Sequence, residues 1–246
     1  MKLFTNVKDF IHELEDYCFP EYSCLLCGRE VEDLNLHICN DCKKEFKFIS
    51  GNLCEKCGAP VNKYTTICDA CKSVNFVFDA SRSVFEYTNK TAKLVTGLKF
   101  KNKKYLAKYL ARYMNEVYKE WGISADILVP VPISDNRLKE RGFNQSELIA
   151  EELSIISNIP VNNMLVERVK VTPNQKELTR AERMKNLIGA FKVVKTKDYE
   201  NKVLLIIDDV FTTGATLNEV AKELLKLKPA KIYCLTAGKT YLHNNT

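Results

Sequence analysis

Apolar positions along the 246 residues fall into three textures. In residues 1–17, MKLFTNVKDFIHELEDY, Leu3, Val7, Phe10, Ile11 and Leu14 recur at helical spacing and predict a short amphipathic helix. Its polar face is too acidic to favour a membrane surface, so the apolar face suits packing on the neighbouring domain. Residues 24–71 are turn-rich and punctuated by cysteines. From about residue 76 the pattern alternates between short apolar runs and longer amphipathic ones. SRSVFEY, ADILVPVP, NMLVERV, GAFKVV, KVLLIID and KIYCLTA read as strands. NKKYLAKYLARYMNEVYKEW, NQSELIAEELSII and TLNEVAKELLKLK read as helices. Strands alternating with helices predict an α/β fold with a doubly wound parallel sheet flanked by helices. The expected organisation is an N-terminal helix over 1–20, a cysteine-rich domain over 21–75 and an α/β domain over 76–246.

A hydrophobic content of 46% supports a core of ordinary size. No apolar run approaches the roughly 20 residues of a spanning helix and no signal peptide is evident, so the expected location is cytoplasmic. The net charge of +6 is uneven: residues 1–75 carry −3 and residues 76–246 carry +9. A basic body suits a phosphorylated ligand or nucleic acid, and equally a well-solvated surface.

Eight of the ten cysteines form four C-x-x-C pairs: Cys24 and Cys27, Cys39 and Cys42, Cys54 and Cys57, Cys68 and Cys71. Two thiolates two residues apart grip one metal from a tight knuckle, and a second knuckle completes tetrahedral coordination of zinc by four sulfurs. A glycine follows the first pair of each unit, at Gly28 and Gly58, where a knuckle often needs positive φ. Two structural zinc ions are therefore expected, since four thiolates leave no open position for water. Sequential pairing closes the shorter loops, although crossed pairing satisfies the same spacing. A redox C-x-x-C would come singly near a strand–helix junction. Cys18, His37 and Cys234 are left over and read as packing or surface.

The stretch KVLLIIDDVFTTGATLNEV, residues 202–220, is an apolar run ending in two carboxylates, then small and hydroxyl residues, then a helical pattern. A parallel sheet binds ligands beyond the carboxyl ends of its strands. Gly214 lets the backbone bend around a ligand, and a helix starting near Ala215 and Thr216 aims free N–H groups at it. Thr212, Thr213 and Thr216 add hydroxyls, which makes the loop a cradle for a phosphate monoester. Asp208 and Asp209 do not bind phosphate; sugar hydroxyls are their natural partners. An acidic N-cap on an ordinary helix would explain one aspartate but not the whole order. AGKT at 237–240 lacks the earlier glycine and a following helix, so it is not a Walker loop.

LLIIDDVFTTGATL resembles the signature of type I phosphoribosyltransferases. With VPVPISDNRLKERGFNQSELIA, PNQKELTRAERMKNLIGAF and the double cysteine unit, the chain is similar to the ComF family, competence-associated phosphoribosyltransferase-like proteins with an N-terminal zinc ribbon. The resemblance runs from about residue 24 to 240. It implies a donor, phosphoribosyl pyrophosphate, carried with Mg²⁺. Donor contacts implied for the signature loop are Asp208, Asp209, Phe211, Thr212, Thr213, Gly214, Ala215 and Thr216, with the two aspartates as the catalytic pair. GLKFKNKK matches the pyrophosphate loop through Lys99 and Lys101. Arg137 and Arg141 follow the strand ADILVPVP and suit bidentate phosphate contact. Asn144 and Gln145 offer amide donors, and Gln175, Arg180, Arg183 and Asn186 read as a covering loop. A charged helix surface would equally account for Arg180 and Arg183, and Asp126 reads as a partner of nearby arginines.

These pieces imply an enzyme that transfers phosphoribosyl to an acceptor; nothing spells out the acceptor contacts. The family is linked with DNA uptake in natural transformation, beside a helicase-like translocase at the inner face of the membrane. The alternative is therefore a binding module for single-stranded DNA, using backbone charge and stacking from LKFKNKKYLAKYLARY. Tyr105, Tyr109 and Tyr113, spaced by four, fit a buried helix stripe at least as well. A protein-docking role for the zinc segment is a weaker third reading.

Overall fold

The computed structural model describes residues 23–31, 37–100, 103–170, 187–194 and 199–241. The predicted N-terminal helix, Cys18, Lys101, Gln175, Arg180, Arg183 and Asn186 lie outside them. Two compact units divide between Phe46 and Lys47, so the two cysteine modules belong to different units.

In the smaller unit, a bridge between Ser23 and Glu30 closes the first knuckle, and a short helix, α1 (Asn40–Lys44), carries the second. In the larger unit a similar bridge joins Leu53 to Pro60, and α2 (Asp69–Lys72) carries the later knuckle. The chain continues through β1 (Ala80–Glu86), α3 (Ala92–Phe100), α4 (Leu106–Trp121), β2 (Ile127–Pro130), α5 (Asp135–Arg141) and α6 (Gln145–Ser157). A two-stranded antiparallel ribbon follows, β3 (Val166–Arg168) with β4 (Phe191–Val193). The chain then runs through β5 (Val203–Phe211), α7 (Ala215–Leu224) and β6 (Lys231–Lys239).

Four strands form a parallel sheet in the order β1-β6-β5-β2. This confirms the expected α/β class. β5 is central, and Leu204, Leu205, Ile206 and Ile207 are all fully buried, as a strand covered on both faces requires. Each such side chain contributes about 1.5–3 kcal/mol by leaving water. α4 and α6 pack on each other and on the sheet, and α7 packs on β5, β6 and the β3–β4 ribbon.

Two elements differ from the pattern-based expectation. β5 runs on to Phe211 because its backbone pairs with β6 as far as Lys239, so the aspartates sit inside the strand rather than after its tip. Helix α3 was not legible, because its nine residues are too short to show a periodic face. Tyr109 and Tyr113 are buried on α4, with Tyr113 against Phe48 at 5.8 Å, so those two belong to the core, whereas Tyr105, one turn before Tyr109, is exposed.

Candidate functional site

The two aspartates of β5 alternate sides, as consecutive strand residues must. Asp208 turns toward α6, where its Oδ1 accepts from Ser146 Oγ at 2.8 Å and from the Asp209 amide at 2.9 Å. Burial, and then the neighbouring Asp209 charge, push the Asp208 carboxyl well above the usual range. Asp209 meets Lys99 from the last turn of α3, with Nζ and Oδ2 at 2.5 Å and both side chains mostly buried. A lysine and a carboxylate 110 positions apart thus neutralise each other at the carboxyl end of the sheet.

The loop after β5 is built for close approach. Gly214 has φ +77°, and a Cβ there would lie 2.7 Å from the rings of both Phe211 and Phe76. Only glycine fits that backbone against those rings. α7 begins at Ala215, whose N–H reaches Thr213 Oγ1 at 3.3 Å, while Thr212 is exposed and Thr216 half-buried. Phe211 differs from its expected role: it is 4% exposed and packs edge-on against Phe76 and Phe78, so it supports the loop from beneath.

Cations gather near the aspartates. Arg141, at the end of α5, donates to Gln145 Oε1 at 2.9 Å. Burial lowers the pKa of its guanidinium, the Arg137 charge adds to this, and Asp209 opposes it. Arg168 on β3, missed from the sequence, lies over the Phe191 ring at 5.4 Å. Burial and Arg137 depress it likewise, with the Asp208 charge opposing. The Arg137 charge thus reaches both guanidinium groups, an arrangement that suits a polyanionic ligand. Tyr87, also missed, packs against Gly238, and its hydroxyl is raised by burial and lowered by the Lys99 charge. Neither residue carries a local signal, because each reaches the site only through strand pairing.

Asn144 caps α6: its Oδ1 accepts from Ser146 N–H and its Nδ2 donates to the Val131 carbonyl at 3.0 Å. Its amide therefore serves the fold rather than standing free for a ligand, and Gln145 is held by Arg141. Lys103 and Lys104 are exposed, and Asp126 pairs with Lys202 at 3.3 Å instead of an arginine.

The cysteines gather sequentially, Cys24, Cys27, Cys39 and Cys42 in one cluster and Cys54, Cys57, Cys68 and Cys71 in the other, with all thiol sulfurs of a cluster within 4.8 Å. Zn–S bonds of about 2.3 Å place tetrahedral sulfurs about 3.8 Å apart. The Cys27–Cys39 and Cys57–Cys68 pairs stand at 3.6 Å and 3.7 Å, so both donor sets fit zinc. Arg29 bonds to Cys27 at 3.4 Å and pulls its thiol down to about 6, toward the thiolate a metal needs.

Residues 14–72 match the double zinc ribbon domain family and residues 100–241 match the phosphoribosyl transferase domain family. The chain is 30% identical to "Competence protein F" of Haemophilus influenzae, over 85% of this chain and 93% of that one. It is 28% identical to "Competence protein ComFC" of Bacillus subtilis, over 81% and 82%. Among solved structures, a purine phosphoribosyltransferase from Pyrococcus horikoshii is similar at 20% identity and a TM-score of 0.33, over 53% of this chain and 80% of that one. The fold and the two family matches define a phosphoribosyltransferase-type domain behind a double zinc ribbon. Within that class, the chain belongs to the ComF competence family.

Proposed function

We propose that the chain binds phosphoribosyl pyrophosphate and transfers the phosphoribosyl group to an acceptor in the service of DNA uptake. The observation that carries this is the Asp208–Asp209 pair on β5, neutralised by Lys99 and followed by the Gly214 turn into α7. The loop from Thr212 to Thr216 takes the donor's 5′-phosphate through N–H and hydroxyl groups. The carboxylates hold the ribose hydroxyls, and Lys99 exchanges Asp209 for the pyrophosphate. Arg137, Arg141 and Arg168 stabilise the leaving group as the C1–O bond breaks and its electron pair passes to pyrophosphate. The acceptor nucleophile forms the new bond to C1 and loses its proton.

Among the described residues, the only clusters of three or more metal-ligating side chains are the two cysteine sets. Mg²⁺ would arrive on the donor's phosphates, which suits a cation that keeps most of its waters. No helix among the described residues is long and apolar enough to cross a membrane. The rival reading, single-stranded DNA on the basic body, keeps exposed Lys103, Lys104 and Tyr105 but loses buried Tyr109 and Tyr113 as stacking platforms.

Calorimetric titration of the zinc-loaded protein with phosphoribosyl pyrophosphate and Mg²⁺ tests the proposal. Saturable binding is expected, weakened at least about 100-fold in Asp208→Asn/Asp209→Asn, in keeping with loss of several charge-assisted bonds. A folded wild type that takes up no donor would sink the reading and leave nucleic acid as the leading ligand.

A further inference from the structure

Three consecutive polar residues open α6, and all three are buried: Asn144, Gln145 and Ser146 are 8%, 5% and 0% exposed. Buried polar side chains need partners, and each of these three has a different one. Asn144 Nδ2 donates to the Val131 carbonyl just past β2, and Val131 N–H donates to the Ile207 carbonyl at 3.0 Å. Ile207 immediately precedes Asp208 on β5. The start of α6 is therefore tied through the end of β2 to the strand that bears the carboxylates.

The Ser146 hydroxyl is committed over a long range. In a helix, a serine hydroxyl ordinarily bonds to backbone close by. α6 is already capped, because Asn144 Oδ1 accepts from Ser146 N–H, so the cap makes no call on the Ser146 hydroxyl. That hydroxyl donates instead to Asp208 Oδ1, 62 positions along the chain. The Asp209 amide donates to the same oxygen. Both bonds fall on Oδ1 and fix the carboxyl group, and Asp208 keeps 8% of its surface exposed, so Oδ2 is the oxygen left to a ligand hydroxyl. The amino end of α6 adds a dipole that favours the carboxylate.

Gln145 does for a cation what Ser146 does for the carboxyl group. Its Oε1 accepts from Arg141 Nη1 at 2.9 Å, across the turn between α5 and α6. A guanidinium is a planar fork, so holding one N–H sets the direction of the others. The Asp209 charge acts on Arg141, which puts the held guanidinium and the held carboxyl group in one site.

We infer that Asn144, Gln145 and Ser146 are positioning residues of the donor site. Asn144 anchors the block, Ser146 aims Asp208 at the ribose hydroxyls, and Gln145 aims Arg141 at the pyrophosphate, with none of the three touching the donor. The inference rests on the donor reading above, and it gives the two halves of the donor separate supports.

Calorimetric titrations of the full zinc-loaded chain with phosphoribosyl pyrophosphate and with pyrophosphate alone, each with Mg²⁺, test this in Ser146→Ala and Gln145→Met. Neither change removes the cap, which uses the Asn144 side chain and the amide of residue 146. Ser146→Ala should bind the donor about tenfold more weakly and pyrophosphate within about twofold of wild type, as loss of one hydrogen bond to a charged group implies. Gln145→Met should bind both ligands about tenfold more weakly, because the group it releases serves the pyrophosphate half.

Donor affinity measured against pH adds a readout that packing alone does not move. A hydroxyl bonded to a carboxylate favours its ionised form. Asp209 on β5, Lys99 on α3, Arg168 on β3 and Cys234 on β6 also act on Asp208, and they are the same in both proteins. Donor affinity in Ser146→Ala should therefore reach its plateau at a higher pH than in wild type. A Ser146→Ala chain that binds the donor as tightly as wild type, that loses pyrophosphate equally, or whose pH profile does not move overturns the positioning role. So does a Gln145→Met chain that keeps its pyrophosphate binding, or a wild type that takes the donor but no pyrophosphate. If one variant fails to fold, the other alone decides. A wild type that takes no donor overturns the donor reading, and the positioning role with it.

Discussion

Both cysteine modules are cut from one pattern, a C-x-x-C-Gly knuckle followed by a second C-x-x-C, yet they live in different surroundings. In the first, nothing lies within 4 Å of a Cβ built on Gly28, and Arg29 spans Cys27 and Asp41 across an open surface. In the second, a Cβ on Gly58 would meet the Ser81 carbonyl at 2.5 Å, and Ser81 N–H donates to the Lys56 carbonyl at 2.8 Å. Cys54 is fully buried, and Lys239 from the sheet stands beside Cys57. The first module keeps its counter-charge within its own loop. The second borrows a lysine from β6 and gives the sheet a wall in return. A repeated motif thus fixes metal chemistry twice, while the packing around each copy is set within its own unit.

The sharpest way to break this comparison is to remove one thiol from each module. Cys54→Ser should leave one zinc per chain, lower the melting temperature by more than about 10 °C and abolish donor binding, since structural zinc contributes on the order of 10–16 kcal/mol to folding. Cys27→Ser should also leave one zinc but keep the donor titration. Equal losses of donor binding in the two variants would erase the distinction.

Gly214→Ala probes the link between the second module and the loop. Backbone strain at φ +77° together with ring contacts at 2.7 Å should cost about 2–4 kcal/mol, read as a fall of roughly 5–15 °C in thermal denaturation. A melt unchanged to within a degree would show that Phe76 does not brace the loop.

Asp208 gives a smaller, pH-dependent effect. Its folded pKa lies above the ordinary value of 3.8, so the folded chain holds a proton that the unfolded chain has released. Stability from this group is present below that ordinary value and is lost as pH rises from about 4 toward neutrality. Asp208→Asn should flatten that slope, leaving the variant a few degrees more stable than wild type near pH 8 by roughly the linkage expected. A parallel pH profile in the two proteins would mean that the proton sits elsewhere.

Arg29→Ala should have the mildest consequence. Zinc leaves the first module about threefold faster when a chromogenic chelator competes, because an exposed charge partner contributes little. The larger unit should melt as before; a shift there would contradict the independence of the first module.

Much of this was legible beforehand because its causes are local. Thiol spacing sets the reach to one metal, the run from Val203 to Ile207 demands burial on both faces, and Gly214 with the following helical pattern makes a strand-turn-helix anion cradle. Lys99 was legible only through resemblance, and its partner Asp209 was not. Arg168 and Tyr87 left no signal, since an arginine or a tyrosine near a strand end is ordinary in any sequence. Asn144 and Phe211 read as ligand contacts in the sequence, but the fold spends Asn144 on a helix cap and a carbonyl, and Phe211 on an aromatic cluster.

The sequence alone determined the metal chemistry, the α/β class and the strand that bears the carboxylates, because each follows from interactions within a few residues or from a simple period. Tertiary structure alone decided which lysine meets which aspartate, that the second cysteine module packs on the sheet, and that a cavity opens beside Thr212. Those outcomes depend on contacts between residues more than a hundred positions apart, where strand order and packing decide proximity and local preference has no influence.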